Sequence, residues 1–352
     1  MTKIPEGKLP WDLLKPLLEN QGFRDNKGII QNASPGVDIA ALNLPEVYEQ
    51  VNAFYKSTSV PFLIYKSDPI TFPTPDPANY LISINMNDLA TCGAIPFGIM
   101  VTILLPPSSM SEEIIEFQHN LSQICVKHKI TILGGHSEIT SAVKSPIYSV
   151  SMIGFVPPEF YIPRTPEQGD KIICSGWIGA EGTGILLSNG KEFFAKVLSR
   201  DEIQYGKLIS QEIAISDRIL SINRKWHDSI HLVHDATEGG FYGALYECLH
   251  PHNLGVNIDS SKIPLAGITK NISSLLDINP FKLISSGAVI IICAEKDASK
   301  IVQDLNSYLK APAAIIGEIT ELGEKLKVDL MELEPPESDH LIKALKNLSS
   351  MV

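Results

Sequence analysis

Leu81–Pro96 reads LISINMNDLATCGAIP, an apolar run that delivers a paired amide and carboxylate, Asn87-Asp88, and then passes into small residues. On its alternation and β-branched content the first half reads as a strand, with a helix beginning after Asp88. A strand that brings a carboxylate to its own end is a common way to place chemistry at the edge of a sheet.

Similar stretches lie on either side. Val60–Tyr65 (VPFLIY) reads as a buried strand ending in Lys66-Ser67-Asp68-Pro69, and the turn Ser34-Pro35-Gly36-Val37 leads into Asp38 and small apolar residues. Thr71–Pro77 is a proline-rich loop. Ile95–Leu105 is a long aliphatic strand stopped by Pro106-Pro107. Ser109 and Glu112 have capping-box spacing ahead of Ile114, Phe117, Leu121, Ile124 and Cys125, which predicts an amphipathic helix. Ile130–Leu133 is a strand running into Gly134-Gly135-His136-Ser137-Glu138, and Tyr148–Val156 is another. Pro157, Pro158, Pro163 and Pro166 then form an extended connector, a natural domain boundary.

The second half begins with a strand over Lys171–Cys174 and a glycine-rich turn, Gly176, Gly179, Gly182 and Gly184, around Glu181 and Thr183. Glycines between a strand and a helix let backbone N–H groups approach an anion, although the spacing matches neither a Walker A loop nor GxGxxG. A helix over Leu208–Ile222 follows, then a strand over His231–Asp235 feeding Ala236-Thr237-Glu238-Gly239-Gly240 and a helix through Tyr246. The remaining elements are a strand over Ala288–Ala294, a helix over Asp297–Leu309 with Asp297 as N-cap, a strand over Ala313–Ile319 and a short helix over 338–348. Strand and helix alternate throughout, so the class is α/β or α+β. The organisation expected is an N-terminal arm (1–33), a first domain (34–158), a second domain (166–325) and a tail (326–352); Leu9–Leu18 reads as a packing arm.

Composition narrows the function. With 352 residues the chain suits two domains, and 44% hydrophobic against 20% charged residues supports a substantial core. A formal charge of −11 argues against a nucleic-acid surface. An acidic protein still binds a nucleotide when a divalent cation bridges the two. Five scattered cysteines without a CxxC fit neither a disulfide framework nor a zinc knuckle, and no apolar run is long enough to span a bilayer. The expectation is a cytoplasmic chain with no membrane contact.

Asp38, Asp68 and Asp88 sit beside strand ends, with Glu138 following a fourth strand. Gathered in one cleft, such carboxylates repel each other unless cations lie among them, which points to magnesium held jointly with nucleotide phosphates. The other reading is that each closes a turn or caps a helix. His136 beside Glu138 is a proton-transfer pair, a phosphate contact or a hydrogen-bonded structural histidine, and Lys66 is either a phosphate ligand or solvated. His231 and His234, three apart on a strand, point to opposite faces and do not share a ligand.

The order of Gly36-Val37-Asp38-Ile39-Ala40-Ala41, Ser67-Asp68-Pro69, Asn85–Pro96, Gly134–Thr140, Glu181-Gly182-Thr183, His234–Gly240 and Ser285-Ser286-Gly287 resembles the aminoimidazole ribonucleotide synthetase (PurM-like) superfamily, most closely its hydrogenase-maturation branch and relatives of unassigned role. The resemblance spans most of residues 28–320. It implies a PurM-like two-domain fold whose first domain contributes strands to a barrel across a homodimer interface, and whose second is an α/β sandwich. It further implies ATP, with Mg2+ on Asp38, Asp68 and Asp88, and Asn87 and Glu138 nearby. Gly134 and Gly135 would lie on the phosphate side, and Asp235, Thr237 and Glu238 would face substrate or phosphates from the second domain. The shared chemistry is γ-phosphoryl transfer onto an amide-type or similar oxygen of a small-molecule or carrier-bound substrate. Asp88, Glu138 and His136 are the candidate catalytic groups. Three departures qualify this: Val37 stands where the superfamily commonly carries a further acid, Pro69 follows Asp68 in place of the usual small residue, and no cysteine follows Cys293, where the hydrogenase-maturation enzyme uses a C-terminal thiol. A kinase of the thiamine-monophosphate type and a nucleotide-binding maturation or regulatory protein with weakened catalysis are the alternatives.

Overall fold

The computed structural model describes all residues except 1–3, 20, 35, 72, 73, 75, 309–311, 324, 337 and 352. Parts of the 71–77 loop and the end of the 297–309 helix expected from sequence therefore lie outside the described residues. The chain divides into two compact units, Met1–Tyr161 and Ile162–Val352.

The first unit contains β1 (Gly7–Lys8), α1 (Trp11–Glu19), β2 (Ile29–Gln31), β3 (Ala41–Leu42), α2 (Leu44–Tyr55), β4 (Phe62–Ile70), α3 (Pro77–Thr91), β5 (Ile95–Leu105), α4 (Ser111–Lys127), β6 (Thr131–Ile139) and β7 (Ile147–Val156). Five strands form one sheet in the order β1-β6-β5-β7-β4, with β5 and β6 parallel and the other pairs antiparallel. The sheet is open in this chain.

Its two faces differ sharply. On β5, Ile99, Val101, Ile103 and Leu105 are buried, while Met100 and Thr102 between them are exposed. The alternation is the period-2 signature of a sheet covered on one side only. On the covered side α3 packs against β4, β5 and β7, and α4 against α3 and β6. Glu113 closes the start of α4 by accepting from the Met110 N–H (3.1 Å), one residue beyond the Ser109/Glu112 box expected from sequence.

The largest correction falls on the opening stretch. Residues 81–88 are not a strand: all belong to α3, which begins earlier, with Pro77 in its first turn and the Asp76 carboxylate accepting from the Asn79 N–H (3.2 Å). Asp88 thus sits in the last turn of a helix. Gly134–Glu138, expected as a loop after a strand, lie within β6, and Asp68 lies inside β4 opposite Val150.

The second unit contains β8 (Lys171–Ser175), α5 (Ala180–Asn189), α6 (Lys191–Val197), α7 (Arg200–Ile209), α8 (Ser216–Trp226), β9 (Ile230–Ala236), α9 (Gly240–Leu249), β10 (Leu254–Ile258), α10 (Gly267–Leu275), β11 (Ala288–Cys293), α11 (Glu295–Asn306), β12 (Ala313–Leu322), β13 (Leu326–Val328), β14 (Met331–Glu332) and α12 (His340–Met351). Seven strands run in the order β14-β13-β10-β12-β8-β11-β9. Their core includes Ile172, Cys174, Leu232, Phe241, Leu245, Val256, Ile290 and Ile316. The single helix expected over 208–222 is two helices, because the chain breaks between Ser210 and Ile215. Asp297 is not the N-cap of α11; it lies in its first turn and accepts from Ser229 Oγ (2.7 Å) and Lys300 Nζ (2.9 Å). Among the described residues no cysteine is disulfide-bonded, and no helix is long and apolar enough to cross a membrane.

Candidate functional site

The first-unit candidates fall into two groups. Lys66 and Asp68 pair across the strands with Met152 and Val150, both buried, so they lie on the helix-covered face of the sheet. There Lys66 Nζ lies 2.8 Å from Asp68 and 3.1 Å from Asp88 on α3. Asn85 joins the same elements: its Oδ1 accepts from the Asp68 N–H (3.1 Å) and its Nδ2 donates to the Leu81 carbonyl (2.9 Å). Burial works against the Lys66 ammonium, but the hydrogen bond to Asp68 and the charge of Asp88 outweigh it and raise its pKa above the ordinary value. Asn87 is fully buried within α3.

The second group is on the open face at the other side of the sheet. Gly134, His136 and Glu138 pair with Met100, Thr102 and Leu104, and His136 Nε2 lies 3.2 Å from Glu138 Oε2. Asp38, Gly134, Gly135 and His136 line one cavity of about 560 Å³ together with residues of α1. Gly135 is required here by close approach: a Cβ at this position would lie 1.9 Å from the Val101 carbonyl oxygen. Three strand spacings of about 4.8 Å each separate β6 from β4. Asp38 therefore does not join Asp68 and Asp88 within the chain, and among the described residues no three His, Cys, Asp or Glu side chains form a metal-holding group.

In the second unit the three quoted motifs meet through backbone contacts. Ser286 N–H donates to Glu181 Oε2 (2.9 Å), Gly179 N–H to Ser285 Oγ (2.9 Å), and Ser285 N–H to the Thr237 carbonyl (3.3 Å). Desolvation raises the Glu181 pKa to about 7, with the charge of Asp339 adding and the Ser286 contacts opposing. Asp235 is buried at the end of β9, whereas Glu238 is exposed. Thr183 is spent on packing, donating to the Gly179 carbonyl and lying 2.9 Å from Thr269 Oγ1. His231 and His234 go separate ways: His231 Nδ1 lies 2.8 Å from Asp170, and His234 lies 3.6 Å from Glu247. Burial and the charge of Arg164 push the His234 pKa down to about 4, so its imidazole is neutral at physiological pH and the Glu247 approach is not an ion pair.

Two side chains absent from the sequence reading organise this region. Asp339, before α12, accepts from the N–H groups of Gly239 (2.7 Å), Ile284 (3.3 Å) and Leu341 (2.7 Å). Buried Arg218 on α8 donates to Ser175 Oγ (3.1 Å) and to the Gly287 carbonyl (2.9 Å), fixing a glycine with φ +97°. An acid one residue before a helix was the only signal for Asp339; Arg218 gave none, since a lone arginine on an amphipathic helix reads as solvated.

The family models of the AIR synthase related protein match both units, the N-terminal domain over residues 67–156 and the C-terminal domain over 167–329. The chain belongs to the AIR synthase related family. It is 28% identical over 255 residues to a putative hydrogenase expression/formation protein of Methanocaldococcus jannaschii, covering 72% of this chain and 73% of the relative. To the carbamoyl dehydratase HypE of Escherichia coli it is 24% identical over 311 residues, covering 85% and 88%. The crystal structure of E. coli HypE superposes with a TM-score of 0.76 at 20% identity, covering 95% of this chain and all of that one. A HypE structure in complex with ATP gives 0.69 at 20% identity, covering 94% and 96%. These likenesses establish the PurM-like fold.

Proposed function

We propose that this chain is an ATP-dependent enzyme that transfers the γ-phosphoryl group to an amide-type or similar oxygen, as the names of its HypE relatives and the ATP complex of one of them suggest. The observation that carries the reading is the first-unit cavity, where Asp38, the Gly134-Gly135 backbone, His136 and Ser137 line one space of about 560 Å³, within the size range of small-molecule sites. Glycines let the backbone come close to phosphate oxygens, and His136 adds a donor held in place by Glu138.

The Asp68–Lys66–Asp88 arrangement is chemically suited to Mg2+. Two carboxylates already share one cation, the Lys66 ammonium, and oxygen donors are what magnesium prefers. Asp68 and Asp88 would hold the ion, and an Asp38 could join them only from a second copy of the chain. A bound Mg2+ supplies charge neutralisation of the phosphates. The protein's own task is alignment, because phosphoryl transfer needs little covalent help. The Asp38 cavity at β6 and the Asp68–Asp88 pair at β4 lie three strand spacings apart in one sheet, which supports a homodimer in which a second copy completes the site. Leu63 and Tyr65, exposed on edge strand β4, with the uncovered face around Met100, supply an apolar surface for it.

Calorimetry with Mg-ATP, together with phosphate release across a panel of amides, carbamoyl compounds and phosphomonoesters, tests the reading. Wild type is expected to bind and turn over ATP, and Asp88→Ala to lose turnover by at least about a hundredfold. Absence of nucleotide binding in the wild type would overturn the reading.

A further inference from the structure

Helix α1 leaves a large aromatic ring uncovered where burial was available. Its Leu17 is buried and Leu13, Leu14 and Leu18 are partly so, yet Trp11 is 52% exposed and lines the β6 cavity. Tryptophan is usually well buried, so a helix serving only to cover the sheet would turn this ring inward. The helix that carries this ring is also anchored. The Leu17 carbonyl accepts from Gln118 Nε2 on α4 (3.4 Å), and β1, three residues before Trp11, is fastened to β6 with Lys8 opposite Glu138 and Gly7 opposite Ile139.

The cavity lining is chemically mixed. Trp11, Leu14 and Leu18 of α1, with Ile39, supply apolar side chains, and Lys8, Ser34, His136 and the Gly134-Gly135 backbone supply polar groups. The outer edge of β6 is covered at both of its ends, by the Ile132 N–H to Gln21 carbonyl bond (2.9 Å) and the Gly22–Thr131 bridge on one side and by β1 at 138–139 on the other. Residues 133–137, between these anchors, face the cavity. A ligand that matches both sets of groups carries a flat apolar ring system and anionic oxygens.

We infer that Trp11 is the base-stacking residue of this cavity: a purine ring lies against its indole and Leu14, while the phosphates extend to Lys8, His136 and the Gly134-Gly135 backbone. The inference rests on the nucleotide-binding reading above and adds to it the residue that recognises the base. Stacking on an aromatic side chain is tolerant of ring identity and sensitive to loss of the ring, so phenylalanine substitutes for tryptophan and alanine does not.

The test compares Mg-ATP with Mg-tripolyphosphate, which carries the same phosphate chain without a base, by calorimetry on the full chain. Trp11→Ala is expected to weaken ATP about tenfold or more while leaving tripolyphosphate unchanged, and Trp11→Phe to stay within about threefold for both. ATP is also expected to quench tryptophan emission in the wild type and not in Trp11→Phe, which retains Trp177 and Trp226 as internal reference. ATP affinity unchanged in Trp11→Ala, equal loss of both ligands, or a quench that persists in Trp11→Phe would each overturn the assignment of Trp11 with the nucleotide reading intact. Failure of the wild type to bind ATP would instead remove that reading and the inference with it.

Discussion

Replacing Glu181 by Gln should stabilise the second unit above neutral pH and hardly affect it in mild acid. Glu181 is 3% exposed and receives one backbone N–H, from Ser286, while desolvation and the nearby Asp339 raise its pKa to about 7 from 4.5. Between those two values the folded state holds a proton that the unfolded state has released. Stability contributed by this site therefore falls as pH rises from about 4.5 to about 7 and is level above it. Keeping the charged form buried at pH 8 costs on the order of 3 kcal/mol. Glutamine occupies the same volume without that charge, and the Ser286 bonds that favour the carboxylate are already contained in that cost. The net gain at pH 8 is then about 3 kcal/mol, or ~6–12 °C in the melting temperature of a unit this size. At pH 5 the two proteins should agree within about 1 kcal/mol. Urea unfolding of Glu181→Gln in a Trp11→Phe background, followed by emission from Trp177 and Trp226 in the second unit, reports this directly. An equal difference from wild type at both pH values would refute the reasoning, since it would mean that the carboxylate is not held neutral by burial.

Two further substitutions probe the supports of the candidate sites. Gly135→Ala places a methyl 1.9 Å from the Val101 carbonyl oxygen and must open the β5–β6 pairing, so a loss of more than about 2 kcal/mol is expected in thermal or urea unfolding; a variant as stable as wild type would show that β6 is not held this close. Asp339→Ala strips the acceptor from three N–H groups, at a cost of about 2–4 kcal/mol, with amide exchange accelerating at Gly239 and Ile284; unchanged exchange there would mean that α12 is not what orders the glycine loop.

What could be read from the sequence follows from how each element is buried. Strands β5 and β7 and helix α4 were legible because each has one buried face, so its hydrophobic period survives in the sequence. Helix α3 was not. It buries Leu81, Ile82, Ser83, Asn85, Met86, Asn87, Leu89 and Ala90, wrapping nearly the whole circumference, and a helix buried all round loses the 3.6-residue stripe. Its start was nonetheless written in Asp76-Pro77, a capping acid followed by a first-turn proline. The break between α7 and α8 was likewise legible at its other end: Ser199 and Glu202 form a capping box, with Glu202 accepting from the Ser199 N–H (2.9 Å), which starts a helix well before Leu208.

The candidate site divides along a different line, between what motif order encodes and what strand order encodes. The GGHSE and SDP motifs were found because each sets an acid beside the end of an apolar run, but their mutual position depends on β6 and β4 lying on opposite sides of β5 and β7. Parity decides the faces. Lys66 and Asp68 share the buried side with Met152 and Val150, whereas His136 shares the open side with Thr102. A one-residue slip in either pairing would put both groups on one face, and nothing local to either strand fixes that register. The same parity explains why Lys66, which from sequence could have been solvated, instead lies between two carboxylates: the face it occupies is the one α3 covers, and α3 brings Asp88 to it.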